Sequence, residues 1–444
     1  MCLCTFFRKE VPMNLDELLL RWGQSHLLSL VPKKADQKAL LHQLLCLDQK
    51  ELDRQREFFC TKPSIKRPPS SSPWERVYEK NETFCHAGEE MLREGKVAAL
   101  MLAAGEGSRL QFSGPKGCFP FSIVKHKTLF QIFCEKILAA QKKYQTEIFL
   151  MIMTSFLNQK ETQLFFEKKN FFGLKKSQVA FFVQGHLPVC DREGKWLLEQ
   201  KTLLTRASGN GDLFRSFVQS NLLQRCREKK IETILLFPVD NPLCDPVDAQ
   251  LVGFHEERKC DVALYTIRRP KKETSMGVLA HGRSGPRILE YMEIPPGEIA
   301  SFPFAHTGIY CVNLFFLEKA AALPLPLHCV QKTICYQGKE TKIFKCEKFL
   351  FDAFSVARKI EPLLTSKSSH FAPLKRAYGK DGLAAVRKAF LAKERRLFYH
   401  LLHRMPSRKN FELSQEFYYP TSALLRLYQK KVYFHRRYFK GIDL

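Results

Sequence analysis

Short apolar runs alternate with amphipathic stretches through the middle of the chain. The runs that are bounded by turns and short enough for buried strands lie at residues 97–103, 147–154, 179–183, 234–239 and 261–266. Near-continuous apolar strands separated by helical patterns are typical of a parallel sheet that is covered by helices on both faces. The pattern therefore predicts an α/β domain with a mixed, mostly parallel central sheet, and ligands of such sheets bind at the carboxyl ends of the strands.

The beginning of the chain shows helical spacing instead. Large apolar residues recur there every three or four positions, at Leu15, Leu18, Leu19 and Trp22 and again at Leu40, Leu41, Leu44 and Leu45. This period predicts amphipathic helices between residues 13 and 60. Asn14 and Asp16 stand where a helix start would use them.

A Pro- and Ser-rich stretch at residues 61–73 predicts an extended linker. Met13 resembles a natural start, so residues 1–12 are interpreted as an unstructured extension. The chain is thus predicted to have a helical N-terminal segment with its linker (1–74), a central domain (75–330) and a C-terminal region with a basic tail (331–444).

The composition indicates a folded protein with a strongly basic surface. Hydrophobic residues make up 45% of the 444 positions, and the formal net charge is +26. Residues 387–444 hold 14 Lys and Arg against 4 Asp and Glu. A basic surface attracts polyanions, yet no RRM, KH, homeodomain or zinc-finger signature is present, so nucleic-acid binding is not expected as the main function. Phosphorylated substrates are the preferred explanation, and for the basic tail we favour a solvated helical face over a polyanion contact.

The sequence also bears on the compartment. No run of about 18 apolar residues is present, so no membrane span is expected. The opening residues lack the pattern of a secretory signal. The 15 cysteines are scattered and include no CxxC pair, so we expect reduced thiols in a cytoplasmic protein. The oligomeric state is not indicated.

The most specific local pattern is a glycine-containing loop after the first apolar run. Leu102, Ala103, Ala104 and Gly105 lead into Glu-Gly-Ser-Arg-Leu and then Gly-Pro-Lys, which ends at residue 116. Glycine allows backbone N–H groups to approach a phosphate or a base, and nearby cations add positive charge. The loop lacks the third glycine of a dinucleotide-binding fold and the GxxxxGK[ST] of a P-loop.

This loop resembles the signature of the eukaryotic-type UDP-sugar pyrophosphorylases, and within them the UDP-N-acetylhexosamine pyrophosphorylases. Further matches follow in the family's order: GQSHLL at 23–28, KTLFQI at 127–132, IMTS at 152–155, FGLK at 172–175, QGHLP at 184–188, GNG at 209–211, VDN at 239–241, LEYMEI at 289–294, EKFLFD at 347–352 and PLK at 373–375. The resemblance spans roughly residues 13–385. It implies a GT-A-like nucleotidyltransferase sheet.

The resemblance also implies the reaction of UTP with N-acetylglucosamine 1-phosphate to give UDP-N-acetylglucosamine and pyrophosphate, assisted by Mg²⁺ or Mn²⁺. The phosphate-neutralising, catalytic residues would be Arg109, Lys116 and Lys375. The residues that would hold the nucleotide are Leu102, Ala103, Ala104, Gly105, Gln184 and Gly209, with Gln184 reading uracil through an amide that both donates and accepts. Asp240 would be the metal ligand.

Sugar recognition is implied for Asn210, Gly277, Glu290, Tyr291 and His306. The asparagine favours an N-acetylated sugar in this family. Two departures favour glucose 1-phosphate instead: the family's Asn-Ala-Gly-Asn segment is His-Thr-Gly-Ile at 306–309, and an aspartate follows the GNG turn. UTP–glucose-1-phosphate uridylyltransferase is therefore the close alternative, and a non-catalytic sugar-nucleotide sensor is the alternative from a different class.

Overall fold

The computed structural model describes residues 14–61, 71–270, 276–282, 285–295, 297–406, 408–430 and 438–439. The predicted extension 1–12, most of the predicted linker and the basic pairs of the last 14 positions lie outside these ranges. Within the described ranges, no helix is long and apolar enough to cross a membrane.

The α-helices of the described residues are α1 (Leu15–Arg21), α2 (Leu27–Leu30), α3 (Lys34–Leu45), α4 (Gln49–Thr61), α5 (Glu82–Arg93), α6 (Leu129–Tyr144), α7 (Gln159–Lys168), α8 (Leu213–Gln219), α9 (Leu222–Glu228), α10 (Ala249–Arg258), α11 (Leu314–Ala322), α12 (Lys367–His370), α13 (Leu383–Leu402) and α14 (Ser422–Lys430).

The strands of the described residues are β1 (Ser72–Pro73), β2 (Val97–Leu102), β3 (Leu150–Thr154), β4 (Val179–Val183), β5 (His186–Pro188), β6 (Leu198–Glu199), β7 (Thr202–Leu203), β8 (Thr205–Ala207), β9 (Thr233–Pro238), β10 (Val262–Arg268), β11 (Val278–Gly282), β12 (Gly285–Leu289), β13 (Phe304–Asn313), β14 (His328–Tyr336), β15 (Lys339–Glu347), β16 (Ile360–Thr365), β17 (Glu412–Leu413) and β18 (Tyr438–Phe439).

The chain forms two compact units, each assembled from segments that are distant in sequence. The first unit comprises residues 1–67, 184–213 and 324–352, and the second comprises 68–183, 214–323 and 353–444. The contiguous division with boundaries after residues 74 and 330 stays a prediction about chain order. The compact units follow the contacts instead.

The second unit is built on a ten-stranded mixed sheet, counted over the described residues. Its path runs β1-β11-β13-β9-β2-β3-β4, with β10 and β16 joined through β13 and β12 beside β11. Strands β9, β2, β3 and β4 are mutually parallel, whereas β13 is antiparallel to both β9 and β10. The mixed α/β sheet and all five predicted strands are confirmed. Their runs of buried residues, five of six in β2 and β9, explain why the sequence shows no alternation.

The first unit contains the predicted N-terminal helices. Their apolar faces pack with residues of the 184–213 and 324–352 segments, and the fully buried members include Leu18, Leu19, Trp22, Leu40 and Leu44. The helical period of the sequence is thus confirmed as a core face. Leu45 is an exception, since it remains 38% exposed.

One pair of cysteines contradicts the prediction of reduced thiols. Cys329 on β14 and Cys346 on β15 are direct partners in the antiparallel ladder, and their sulfur atoms are bonded. The prediction is wrong for this pair because strand pairing places together two residues that are 17 positions apart in the sequence. The cytoplasmic location stays a prediction.

The second unit should lose stability on acidification, in part through His255 on α10. This side chain is 3% exposed. Burial lowers the pKa of His255 from 6.5 to about 4, and the backbone of Asp261 offsets only part of that effect. Below pH 6.5 the unfolded chain takes up a proton that the folded chain refuses until about pH 4. The stabilising effect of the neutral imidazole is therefore complete above pH 6.5 and is lost as the pH falls toward 4.

We expect His255→Leu to raise the free energy of unfolding by about 2 kcal/mol more at pH 5 than at pH 7.5. Urea unfolding at the two pH values measures this difference. The exposed His400→Leu serves as the matched control and should show no such pH dependence. Equal effects of His255→Leu at both pH values would contradict the prediction.

Candidate active site

The predicted nucleotide loop begins where β2 ends and is held by hydrogen bonds on both sides. Ala103 N–H donates to the carbonyl of Met153 at 2.8 Å. The Asn158 side-chain amide donates to the carbonyl of Ala103 at 3.2 Å and lies 3.5 Å from that of Gly105. Because these carbonyls are engaged, the loop has a fixed course. Sequence reasoning misses Asn158, and its signal is the polar Ser-x-x-Asn that directly follows β3.

Lys116 and Asp240 meet beside this loop. The N–H of Lys116 donates to the carbonyl of Gly105 at 3.0 Å, and the N–H of Val239 donates to that of Leu102 at 3.1 Å. The Lys116 Nζ lies 3.0 Å from Asp240 Oδ2, and the two side chains are 15% and 23% exposed. The carboxyl ends of β2 and β9 thus bring a glycine turn, a cation and a carboxylate together.

The main chain attaches Lys375 and Arg109 to the same edge of the sheet. The N–H of Leu374 donates to the carbonyl of Asp240 at 2.7 Å, and the N–H of Ala377 donates to the carbonyl of Arg109 at 2.9 Å. The side chains of Lys375 and Arg109 are exposed. Residues 374–377 therefore connect the predicted metal ligand to the predicted phosphate-binding arginine.

Three of the predicted sugar-binding residues are in contact. A Cβ on Gly277 would lie 2.6 Å from His306 Nε2 and 3.4 Å from Glu290 Oε1, so only glycine fits there. Glu290 also caps the 3₁₀ turn Tyr291–Glu293, since its N–H donates to Glu293 Oε2 at 2.8 Å. Tyr291 begins this turn and is 43% exposed.

His306 is held as a neutral imidazole. Its Nδ1 lies 2.8 Å from the hydroxyl of Tyr310, a partner that sequence reasoning misses. Burial lowers the pKa of His306 to about 4, and the positive charge of Lys375 lowers it further. The same charge effect shows that Lys375 lies near the predicted sugar-binding group. At neutral pH the imidazole can donate one hydrogen bond and accept another.

The remaining predicted residues belong to the first unit. Gln184 follows β4 and is 5% exposed. Gly209 has φ +91°, and a Cβ there would lie 2.3 Å from the carbonyl oxygen of Lys348. The Oδ1 of Asn210 accepts a hydrogen bond from the N–H of Leu350 at 3.0 Å, so its amide nitrogen points the donor group away from that contact. Glycine is therefore obligatory at position 209.

A different group of residues has the spacing of a metal site. Asp245, Asp248 and His370 place one ligand atom each within 4.8 Å of one another, and this is the one such group of three among the described residues. Lys136 and Lys393 already pair with Asp245 at 3.2 and 3.0 Å. Two ammonium groups beside the carboxylate disfavour a further cation. The predicted ligand Asp240 does not belong to this group.

Known proteins show the same pattern over most of the chain. The model of the family described as UTP–glucose-1-phosphate uridylyltransferase matches residues 53–429. UDP-N-acetylglucosamine diphosphorylase 2 of Arabidopsis thaliana is 30% identical over 69% of this chain and 66% of its own length. UDP-N-acetylglucosamine pyrophosphorylase of Saccharomyces cerevisiae is 31% identical over 70% of this chain and 72% of its own length.

A solved structure agrees with the fold. The uridine diphosphate N-acetylglucosamine pyrophosphorylase from Trypanosoma brucei, in complex with inhibitor, superposes with a TM-score of 0.77 at 24% identity, over 89% of this chain and 88% of that one. The resemblance noted in the sequence is thereby confirmed. Since the family model covers most of its length, the chain belongs to the UTP–glucose-1-phosphate uridylyltransferase family.

Proposed function

We propose that this protein transfers the uridylyl group of UTP to N-acetylglucosamine 1-phosphate and releases pyrophosphate. The observation that carries the proposal is the meeting of Gly105, Lys116 and Asp240 at the carboxyl ends of β2 and β9, with the main chain beside Lys375 bonded to Asp240. The names of the relatives in Arabidopsis and yeast support the same activity.

The reaction requires charge neutralisation and alignment more than proton transfer. The phosphate oxygen of the sugar phosphate is already anionic near neutral pH, so it attacks the α-phosphorus of UTP without a general base. Lys116 and Arg109 neutralise the triphosphate and the departing pyrophosphate. Lys375 contributes a further positive charge toward the sugar phosphate. Each of these roles needs a fixed cation, which the loop and the 374–377 segment supply.

The proposal includes Mg²⁺, or Mn²⁺ in its place, with Asp240 as the residue that would hold it. Mg²⁺ sites in nucleotide enzymes are completed by one or two carboxylates together with substrate phosphates and water. Asp240 fits that donor set, because one carboxylate oxygen faces Lys116 and the other is left for a ligand. When bound, the ion supplies charge neutralisation at the phosphate oxygens.

The choice of sugar rests on Asn210, which supports an N-acetylated substrate, against His306. A neutral imidazole packed on Gly277 leaves less freedom on that side of the sugar group than a small residue would. UDP-glucose synthesis is therefore the second candidate, and the description of the matching family agrees with it.

Pyrophosphate release from UTP and Mg²⁺, with N-acetylglucosamine, N-acetylgalactosamine and glucose 1-phosphates offered separately, tests both candidates. We expect kcat/KM to be at least about tenfold higher for an N-acetylated sugar, because a site that pairs with the acetamido group is left with unpaired polar groups by glucose. A preference for glucose 1-phosphate would support the second candidate. Release with none of the three would overturn the proposed function.

A further inference from the structure

Lys348 is a buried lysine whose ammonium group has two carboxylate partners. It follows β15 in the first unit, and its side chain is 3% exposed. Its Nζ lies 3.1 Å from Glu51 Oε2 on α4, and it also pairs with Asp212 Oδ1. The three residues come from three segments that are far apart in the sequence. One ammonium group therefore joins the three segments of which the first unit is made.

The main chain of Lys348 binds the turn that carries Gly209 and Asn210. Its N–H donates to the carbonyl of Ser208 at 2.7 Å, and its carbonyl accepts from the N–H of Gly211 at 2.9 Å. The turn is thus hydrogen-bonded to Lys348 on both sides of Gly209. The close approach leaves no space for a Cβ at either glycine, since the contacts would be 2.3 Å and 2.8 Å.

The charges around Lys348 are balanced. Arg54 donates to both oxygens of Glu51, at 3.0 and 3.2 Å, and the hydroxyl of Ser208 donates to Asp212. Two cations thus face two carboxylates in a chain that runs from α4 to the turn. Buried charges are tolerated when they are paired, whereas removal of one partner leaves an uncompensated charge. Loss of the Lys348 ammonium would therefore act first on Asp212, at the end of the turn.

We infer that Lys348 is a positioning residue that fixes the Gly209–Asn210 turn for the nucleotide and the sugar, and that Glu51 connects the N-terminal helices to this role. The inference rests on the proposed function, because it takes the turn as part of the substrate site. It assigns Lys348 no contact with substrate. Sequence reasoning misses this role, since the lysine stands between apolar residues and its partners are distant in the chain.

The test compares Lys348→Met with Lys342→Met, which makes the same change at an exposed position of β15. For Lys348→Met we expect KM for UTP and for the sugar phosphate to rise about tenfold or more, with a smaller change in kcat. Lys348→Arg keeps the charge and should recover part of the loss. Lys342→Met should match the wild type. A lysine that only stabilised the unit would lower the unfolding temperature and leave both KM values of the folded enzyme unchanged.

Two milder variants keep the inference testable if Lys348→Met does not fold. Asp212→Asn and Glu51→Gln each remove one carboxylate charge and leave Lys348 the other partner. Either should raise the Kd for UTP, measured by calorimetry, in a protein whose unfolding temperature shows that it is folded. Wild-type Kd and KM in the folded variants would overturn the inference. A wild type that binds UTP but releases no pyrophosphate would overturn the proposed function alone, and one that does not bind UTP would overturn both.

Discussion

Replacing Lys116 with methionine should lower kcat for pyrophosphate release by about 10³-fold, while the protein stays folded. Lys116 lies beside the glycine turn with its ammonium 3.0 Å from Asp240, so it presents a fixed positive charge next to the predicted metal ligand. Charge accumulates on the departing pyrophosphate as the bond to the α-phosphorus breaks. Methionine keeps the length of the side chain and removes only the charge, so the loss should be greatest in the transition state.

The measurement is a steady-state assay with UTP, Mg²⁺ and the preferred sugar phosphate, accompanied by calorimetric binding of UTP. We expect Kd for UTP to change far less than kcat, because the uridine contacts remain. Lys168→Met makes the same change at an exposed position of α7 and should behave as the wild type. An unchanged kcat in a folded Lys116→Met enzyme would refute the catalytic role of this lysine.

The fold was largely predictable from the sequence because the central strands are buried on both faces. The apolar run at 179–183 has the same bounds as β4, and the run at 97–103 differs from β2 by one residue. The antiparallel strand β13 was not predicted, because its place between β9 and β10 depends on contacts across the sheet. The same reason explains the bonded Cys329 and Cys346, which only strand pairing brings together.

The site was predictable where a residue follows a strand directly. Gly105, Asp240 and Gln184 each come within three positions of a strand end, and the structure puts the first two at one edge of the sheet. Residues that act through tertiary contacts left no comparable pattern. Tyr310 lies within β13 and meets His306 only because a bulge interrupts the pairing of β10 with that strand. Their roles follow from geometry and not from spacing.

Replacing Gly209 with alanine should lower kcat/KM by about 10²-fold, even though it adds only one methyl group. The new Cβ would lie 2.3 Å from the carbonyl oxygen and 2.8 Å from the nitrogen of Lys348. Both atoms belong to the backbone, so they cannot turn aside as a flexible side chain could. The turn would have to move by about 1 Å, a displacement that can reduce the rate by that factor when it affects substrate-positioning groups.

Gly338→Ala separates this collision from backbone strain. Gly338 has φ +76° in the turn between β14 and β15, and a Cβ there would meet nothing within 4 Å. Alanine at a positive φ costs about 1–2 kcal/mol of stability at either position, but only Gly209→Ala displaces the turn of Asn210. We therefore expect both variants to unfold at a lower temperature and only Gly209→Ala to lose kcat/KM. Equal losses of kcat/KM would mean that strain, transmitted through the first unit, governs the site; equal retention would mean that the turn at Gly209 does not position substrate.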